Sequence, residues 1–384
     1  MNNIELNSSF IEELWNETTS DSIVLKLTHN ASIPIPVRNN FALIMNDIEA
    51  EVPVGFQLGI SFKPSKIKNV INLNSDLSYL SEGDIVKINI KYKKIRVLYR
   101  TKSKFNFFLL TERCNHYCLM CSQPPRNVQD DWHYDDVMRS LDLIDRGATF
   151  LGFTGGEPTL LGERLIDILR KMNSRLPETS ALVLTNGRRF SEPNFTKRVA
   201  EVRHQNLTLA IPLYSDSPHI HDYVVQSEGA FEETIRGILL LKERNQKVQI
   251  RMVVHKQTYA RLPQFAEFIY RNLAFVDHIA LMGLEITGFT KANLKDLWID
   301  PIDYASQLET AASYLDRMGM NVSIFNHQLC TIPRSIWHLN VKSISDWKNS
   351  YEPVCGSCEV KEKCGGFFTT SNGKISRGIA AKIS

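Results

Sequence analysis

The sequence predicts an α/β protein: a partial (β/α)6 barrel of the TIM type, preceded by an N-terminal β-rich domain and followed by a cysteine-bearing extension. Three observations predict it. From about residue 104, apolar runs of strand length alternate with amphipathic stretches of helical period, the pattern of a parallel sheet with crossover helices. The first hundred or so residues instead carry β-branched and aromatic segments broken by Pro, Gly and Asn. The motifs with chemical potential stand directly after the apolar runs, where parallel barrels keep their active sites. The expected domains are 1–100, 101–290 and 291–384.

In the first domain the strand-like segments are Ser22–Thr28, Val52–Ser61 and Asp84–Tyr99, with a short helix expected at Ser9–Asn16 and no catalytic motif. Between Lys87 and Lys104 there are eight basic residues and no acidic one. This reads as the solvated face of a strand pair, with a docking surface for an acidic peptide or reductase as the functional alternative.

In the barrel the strands are expected at Phe105–Leu110, Phe150–Phe153, Ala181–Leu184, Leu207–Leu213, Val248–Val254 and Ile279–Leu284. Tyr134–Ile144, Leu165–Met172, Phe231–Lys242 and Leu262–Tyr270 repeat apolar residues with helical period. Right-handed crossovers curl such a sheet toward a barrel. A helix at Pro301–Met318 follows, with Pro where a missing N–H costs nothing, and then a strand at Val322–Phe325.

A chain of 384 residues has room for two or three domains, and 43% hydrophobic with 23% charged residues excludes disordered, collagenous and repeat-only chains. A net charge of +3 gives no signal for a nucleic-acid or membrane partner. No run reaches the roughly 18 apolar residues of a membrane span. The opening MNNIELNSSFIEELWNE places acids where a signal peptide is basic. A cytoplasmic location is the expectation, and there clustered thiols bind metal or react more often than they form disulfides.

The seven cysteines fall into a group of three and a group of four. After the first barrel strand stands Thr111-Glu-Arg-Cys114-Asn-His-Tyr-Cys118-Leu-Met-Cys121-Ser-Gln-Pro-Pro. Three thiolates on one loop can hold three irons of a four-iron, four-sulfur (4Fe-4S) cubane and leave the fourth open for chelation. Zinc is the alternative, but it favours four closed ligands and only His116 stands nearby to supply one. After the second strand, Thr154-Gly155-Gly156-Glu157-Pro158-Thr159 brings two glycines that permit close backbone approach and a carboxylate able to hold an ammonium group. Thr185-Asn186-Gly187 and Tyr214-Ser215-Asp216 follow the third and fourth strands. In the fifth strand, alternation puts Gln249, Arg251 and Val253 on one face, read as the barrel interior. Each of these turns also has an ordinary structural reading when taken alone. His219, His221 and His255 lie near strand ends and read first as surface or hydrogen-bonded histidines. Glu285, at the end of the sixth strand, is a candidate hydrogen-bond acceptor for substrate or cofactor.

The CxxxCxxC loop, the Gly-Gly-Glu-Pro turn and the strand order resemble the radical S-adenosylmethionine (SAM) enzymes over about residues 104 to 290. The resemblance implies that Cys114, Cys118 and Cys121 hold a 4Fe-4S cluster whose open iron binds the methionyl amine and carboxylate of SAM. It implies that Gly155, Gly156, Glu157 and Pro158 contact the amine, that Ser215 reaches the ribose or carboxylate, and that Arg251 reaches the carboxylate. Met120 stands where many members carry an aromatic residue against the adenine, and Pro212 where many carry Ser.

The tail carries Cys330, Cys355-Gly-Ser-Cys358 and Cys364-Gly-Gly. Four thiolates can close every iron of a second cubane, and zinc is again the alternative. The tail resembles the cluster-binding extensions of peptide-modifying radical SAM maturases, which implies an auxiliary 4Fe-4S cluster suited to electron relay. More narrowly, the Cys114–Pro125 run, Leu281-Met-Gly-Leu-Glu285, Asn326-His-Gln-Leu-Cys330, Ser343-Ile-Ser-Asp-Trp-Lys and Cys364-Gly-Gly-Phe-Phe resemble the HxsC branch, maturases of the His-Xaa-Ser repeat peptide system. That branch implies a precursor peptide substrate, a partner radical SAM maturase and a flavodoxin or ferredoxin reductant. Two other readings stay open: a radical SAM enzyme acting on a small molecule in cofactor biosynthesis, and a zinc-stabilised, non-catalytic binding module.

Overall fold

A computed structural model describes residues 2–3, 22–47, 49–89, 91–342, 350–371 and 375–382. The helix expected at Ser9–Asn16 and the Ser343–Lys348 motif lie outside the described residues. The chain divides into two compact units, Met1–Phe108 with Asp131–Leu151 and Arg170–Thr179, and Leu109–Asp130 with Gly152–Leu169 and Ser180–Ser384.

The first unit is built on a seven-stranded sheet. Its strands are β1 (Asn2–Asn3), β2 (Ser22–Thr28), β3 (Phe41–Ile44), β4 (Leu58–Ser61), β5 (Val70–Asn72), β6 (Ile85–Asn89) and β7 (Lys94–Tyr99), in the order β1-β7-β6-β2-β3-β4-β5. Pairing is antiparallel from β1 to β2 across that order and parallel from β2 to β5. The β expectation therefore holds, while the parallel half is absent from the sequence reading: strands of three or four residues are too short to show periodicity. One apolar cluster, including Leu25, Leu27, Leu58, Ile60, Val86 and Ile88, forms the core of this unit.

Helix α1 (Trp132–Leu143) lies in the same unit and explains much of the basic run. Lys91, Lys93, Lys94, Lys102 and Lys104 are exposed, as a solvated face requires. Lys87 is instead buried, 2.8 Å from the buried carboxylate of Asp136, with its ammonium 4.4 Å from the centre of the Trp132 ring. Arg96 also lies over Trp132 and Arg100 over Tyr79. Three of the eight charges thus bind internal aromatic or acidic partners. Charge counting cannot separate them from the exposed five, because the partners are brought to them by the fold and not by the local sequence.

Most of the parallel sheet lies in the second unit. The six expected barrel strands form as β8 (Asn106–Leu109), β9 (Phe150–Thr154), β10 (Ser180–Leu184), β11 (Leu207–Pro212), β12 (Lys247–Val254) and β13 (His278–Gly283). Two further strands, β14 (Val322–Phe325) and β15 (Asn340–Val341), extend it, giving the order β15-β14-β13-β12-β11-β10-β9-β8. The pairings from β10 to β15 are all parallel. The sheet ends in edges at β8 and β15, as a partial barrel does. The boundary between the two units passes through β8, β9 and the next helix.

That helix is α2 (Glu163–Arg175), followed by α3 (Pro193–Ala200), α4 (Pro218–Val225), α5 (Ala230–Glu243), α6 (Leu262–Leu273) and α7 (Ala305–Arg317). Helices α3 and α4 escape the sequence reading because each has only eight residues, about two turns, too few to establish a period. The helix expected from Pro301 begins later. Pro301–Asp303 forms a 3-10 turn whose first free amides are met by the Asp300 carboxylate, which accepts from Ile302 N–H at 3.2 Å. Along β12, Val248, Ile250, Met252 and Val254 are buried, while Gln249, Arg251 and Val253 share the other face, as alternation requires.

The Lys87–Asp136 pair makes a specific prediction about stability. Removing one partner from a buried ion pair strands the other charge, which costs about 3–5 kcal/mol, whereas replacing both with apolar residues is close to neutral. Chemical denaturation should therefore show Lys87→Met and Asp136→Leu each strongly destabilising and the double variant near wild type.

Candidate cluster and SAM site

The loop after β8 has no regular secondary structure over Glu112–Asp131, so neighbouring elements must fix its shape. Its entry is tied by Asp130, whose Oδ2 accepts from the Thr111 hydroxyl at 2.9 Å and from Glu112 N–H at 2.5 Å. The end of α4 holds the middle: Tyr117 N–H donates to Val225 O at 3.1 Å and Leu119 N–H to Val224 O at 2.9 Å. The segment after β13 holds the far side. Phe289 N–H donates to Cys121 O at 2.8 Å, Thr290 Oγ1 to Met120 O at 3.2 Å, and Asn293 Nδ2 to Leu119 O at 2.8 Å.

The Gly-Gly-Glu-Pro turn is the fourth restraint. Gly156 N–H donates to Thr111 O at 2.7 Å and Glu157 N–H to Arg113 O at 2.8 Å, which lays the turn directly on the cysteine loop. A Cβ on Gly155 would strike the Thr111 carbonyl oxygen, and one on Gly156 the Arg113 carbonyl. Both glycines are therefore required by the packing of two backbones, a reason additional to any approach of a ligand.

Glu157 is fully buried. Its Oε1 accepts from Thr159 N–H at 2.9 Å, Thr159 Oγ1 at 2.6 Å and Thr185 Oγ1 at 2.7 Å, while Oε2 accepts from Asn186 N–H at 2.6 Å. Burial raises its pKa and these donors pull it back. The carboxylate proposed as an ammonium holder is thus occupied in joining the turns after β9 and β10. Asn186 Nδ2 then donates to Asn115 Oδ1 at 2.6 Å, carrying the connection to the cysteine loop.

The three loop thiols influence one another. Burial pushes Cys114 up to about 11, with Glu157 and Cys121 adding to the rise. It pushes Cys118 further, with Cys121 and Cys114 adding, and it also raises Cys121. Unassisted, these groups stay thiols at neutral pH; a bound cationic metal is what makes such sulfurs ligate as thiolates. His116 N–H already donates to Cys114 Sγ at 3.4 Å. All seven cysteines are free thiols. Among the described residues no three His, Cys, Asp or Glu side chains converge on a single-ion site; a cubane spreads its thiolates over separate irons.

The remaining candidates have different roles. Arg251 donates through Nη2 to Met282 Sδ at 3.2 Å, and burial lowers its pKa while Tyr214 opposes the shift. Ser215 is buried, and its hydroxyl donates to Asp216 Oδ1 at 3.2 Å and accepts from Ser217 N–H at 3.1 Å. Asp216 in turn binds Arg261 through both carboxylate oxygens, with Nε at 2.8 Å from Oδ1. Met120 packs with Tyr214, Val224, Val225 and Leu297 in an apolar cluster that also touches Cys118. Glu285 is half-buried just beyond β13. His219 is exposed, whereas His221 and His255 are buried, which lowers their pKa to about 4 and about 3. Neither is a surface histidine, although each accepts a local backbone N–H through Nδ1. Tyr214, between those two rings, escaped individual notice in the sequence; its aromatic position beside Met120 and the cysteines was the available signal.

The four tail cysteines line one cavity, together with Gln328, Leu329, Tyr351, Val360, Phe367 and other residues. Cys330 follows β14 directly, and Gln328 Nε2 donates to Gly366 O at 2.8 Å, joining that segment to the Cys364-Gly-Gly turn. The Tyr351 hydroxyl donates to Cys364 O at 3.0 Å. Sequence separations of more than thirty residues are thereby closed around a single set of sulfurs.

The family model described as "Radical SAM superfamily" matches residues 108–269. Those residues are a radical SAM superfamily domain. The chain is therefore an enzyme, and the non-catalytic zinc module is excluded as an account of the whole chain. A radical SAM domain implies a 4Fe-4S cluster and SAM, and the three-thiol loop fits that requirement. A curated relative, Fe-coproporphyrin III synthase of Methanosarcina barkeri (strain Fusaro / DSM 804), is 24% identical over 165 residues, 42% of this chain and 39% of that protein. The chain thus spans about two fifths of this relative's length. Among solved structures, Streptococcus suis SuiB bound to SAM is 17% identical, covering 59% of this chain and 51% of that one at a TM-score of 0.47. SuiB bound to precursor peptide SuiA gives 18% identity, 59% and 49% coverage, and a TM-score of 0.47. Native anSMEcpe with bound AdoMet gives 20% identity, 57% and 63% coverage, and a TM-score of 0.45. Among the described residues, no helix is long and apolar enough to cross a membrane.

Glu157 provides the direct test of how this candidate site is assembled. Glu157→Gln turns one acceptor into a donor facing existing donors, and unsatisfied buried groups cost about 1–3 kcal/mol. Urea unfolding should show a loss of that order; an unchanged midpoint would contradict the pinning role.

Proposed function

We propose that this chain is a radical SAM peptide maturase that modifies a ribosomally made precursor of the His-Xaa-Ser repeat type. The observation that carries the reading is the division of the seven thiols, three on the loop beside the Gly155–Pro158 turn and four lining one separate cavity. Three thiolates leave one iron of a 4Fe-4S cluster open for SAM; four close an auxiliary 4Fe-4S cluster and suit it to electron relay.

Cys114, Cys118 and Cys121 would ligate the first cluster, and Cys330, Cys355, Cys358 and Cys364 the second. With the cluster bound and reduced by one electron from a flavodoxin or ferredoxin, the cofactor's chemistry is reductive cleavage of SAM to methionine and a 5′-deoxyadenosyl radical that abstracts hydrogen from the peptide. The chain's own residues bind and orient. Gly155 to Pro158 offer backbone groups to the methionyl amine, and Glu157 holds that turn through its four donors. Arg251, on the Gln249–Val253 face of β12, is the carboxylate partner, and Ser215 and Met120 support the ribose and adenine ends. Glu285 borders the substrate side. A partner radical SAM maturase and a cytoplasmic setting complete the proposal.

A second reading, radical chemistry on a small molecule, is favoured by one observation, the curated Fe-coproporphyrin III synthase similarity. Co-expression with a His-Xaa-Ser repeat precursor separates the two by mass spectrometry of the peptide. A change of about 2 Da marks dehydrogenation or a crosslink by such radical chemistry. An unmodified peptide, with epimerisation excluded by chiral amino-acid analysis, would count against the maturase reading.

Cys118→Ala should abolish 5′-deoxyadenosine formation from SAM under dithionite, measured by liquid chromatography after anaerobic reconstitution. Production at the wild-type rate would remove Cys118 from the cluster.

A further inference from the structure

The wall of the tail cavity includes Ala380, from the 376–382 arm. This arm is strapped at two places. At its start, the Ser376 hydroxyl donates to Asp300 Oδ1 and Arg377 N–H donates to Asp300 Oδ2 at 3.0 Å, while the Arg377 guanidinium pairs with Asp303. Ser376 is buried, and Asp300 is the residue that caps the turn before α7. Near its end, Lys382 O accepts from Glu359 N–H at 3.0 Å. Between these fixed points the backbone runs along the sulfurs. Lys382 N–H donates to Cys358 Sγ at 3.4 Å.

Hydrogen bonds to ligand sulfur are among the factors that set a cluster's reduction potential. When the cluster takes one electron, with no proton and no ligand change, negative charge on its sulfurs grows. An N–H pointing at such a sulfur stabilises the reduced form more than the oxidised form, so the midpoint rises. Covering the cavity also limits access of water and chelators to the irons.

We propose that the 376–382 arm closes the tail site and raises the reduction potential of the auxiliary cluster through the backbone N–H of Lys382 on Cys358. This rests on the auxiliary-cluster reading above. The side chain of Lys382 has no part in the hydrogen bond, so two substitutions at one position separate backbone from side chain. Lys382→Pro removes the N–H and keeps the carbonyl that Glu359 uses; Lys382→Ala keeps both.

The test is a dithionite redox titration of the anaerobically reconstituted full chain, followed by electron paramagnetic resonance. The SAM-responsive signal serves as the internal control. The auxiliary midpoint should be more negative in Lys382→Pro than in Lys382→Ala, the two variants sharing the loss of the ammonium charge that also acts on Cys330, with the SAM-responsive midpoint unchanged in both. Equal midpoints in all three proteins, or equal shifts in both variants, would overturn the N–H role. A chain ending at Gly378 should lose auxiliary-cluster iron to bathophenanthroline faster than the full chain; equal release rates would overturn closure by the arm. Iron analysis distinguishes a deeper failure: zinc, with only about four irons per chain, would overturn the auxiliary-cluster reading itself and the arm's role with it.

Discussion

The cysteine loop is irregular, so its form depends on backbone hydrogen bonds supplied from elsewhere, and the contact with the Gly155–Gly156 turn is the most demanding of them. Thr111 O and Arg113 O accept from two consecutive amides of that turn at 2.7 and 2.8 Å. The contact leaves no room for a Cβ on either glycine. Glu157 then locks the turn from beneath, drawing in Thr159, Thr185 and Asn186, and Asn186 returns to the loop through Asn115. Three successive strand ends are thus coupled to one loop. The apolar barrel residues behind them, Phe153, Val183 and Ile211 among those almost fully buried, provide the rigid platform that such coupling needs.

The electrostatics of the loop follow from the same packing. Restraint brings three thiols into a poorly solvated place, where burial raises their pKa and each thiolate would disfavour the next. The site therefore resists ionisation until a cationic centre compensates. Tyr214 experiences the same field: burial first, then Cys118 and Cys121, hold its phenol well above the ordinary value. Tyr214 and Met120 belong to the apolar cluster against which Cys118 packs. Such surroundings strengthen the interactions of any charge that is introduced.

The repeating architecture was legible because it is written in periods. The six barrel strands and the five longer helices carry alternating or helical patterns over enough residues to be read, and the motifs at the strand ends are short and contiguous. What depends on pairing at a distance was not legible. Nothing local distinguishes Glu157 as an acceptor for four internal donors from Glu157 as an ammonium holder. The partnership of Lys87 with Asp136 spans 49 positions and needs the fold to bring it about. Short β3, β5 and β15 and the two-turn helices α3 and α4 give too few residues for a pattern. The four tail cysteines could be counted from the sequence, whereas their common cavity and the arm across it required the structure.

The central claim is that the chain holds one open and one closed four-iron centre. Mössbauer and electron paramagnetic resonance spectroscopy of the anaerobically purified wild-type protein, with iron quantified on the same sample, tests it most directly. The account predicts about eight irons per chain in two 4Fe-4S centres, with SAM perturbing one signal and leaving the other unchanged. A single SAM-responsive centre with zinc in the tail would contradict the division of the thiols into two clusters, and a sample without a SAM-responsive signal would contradict the open one.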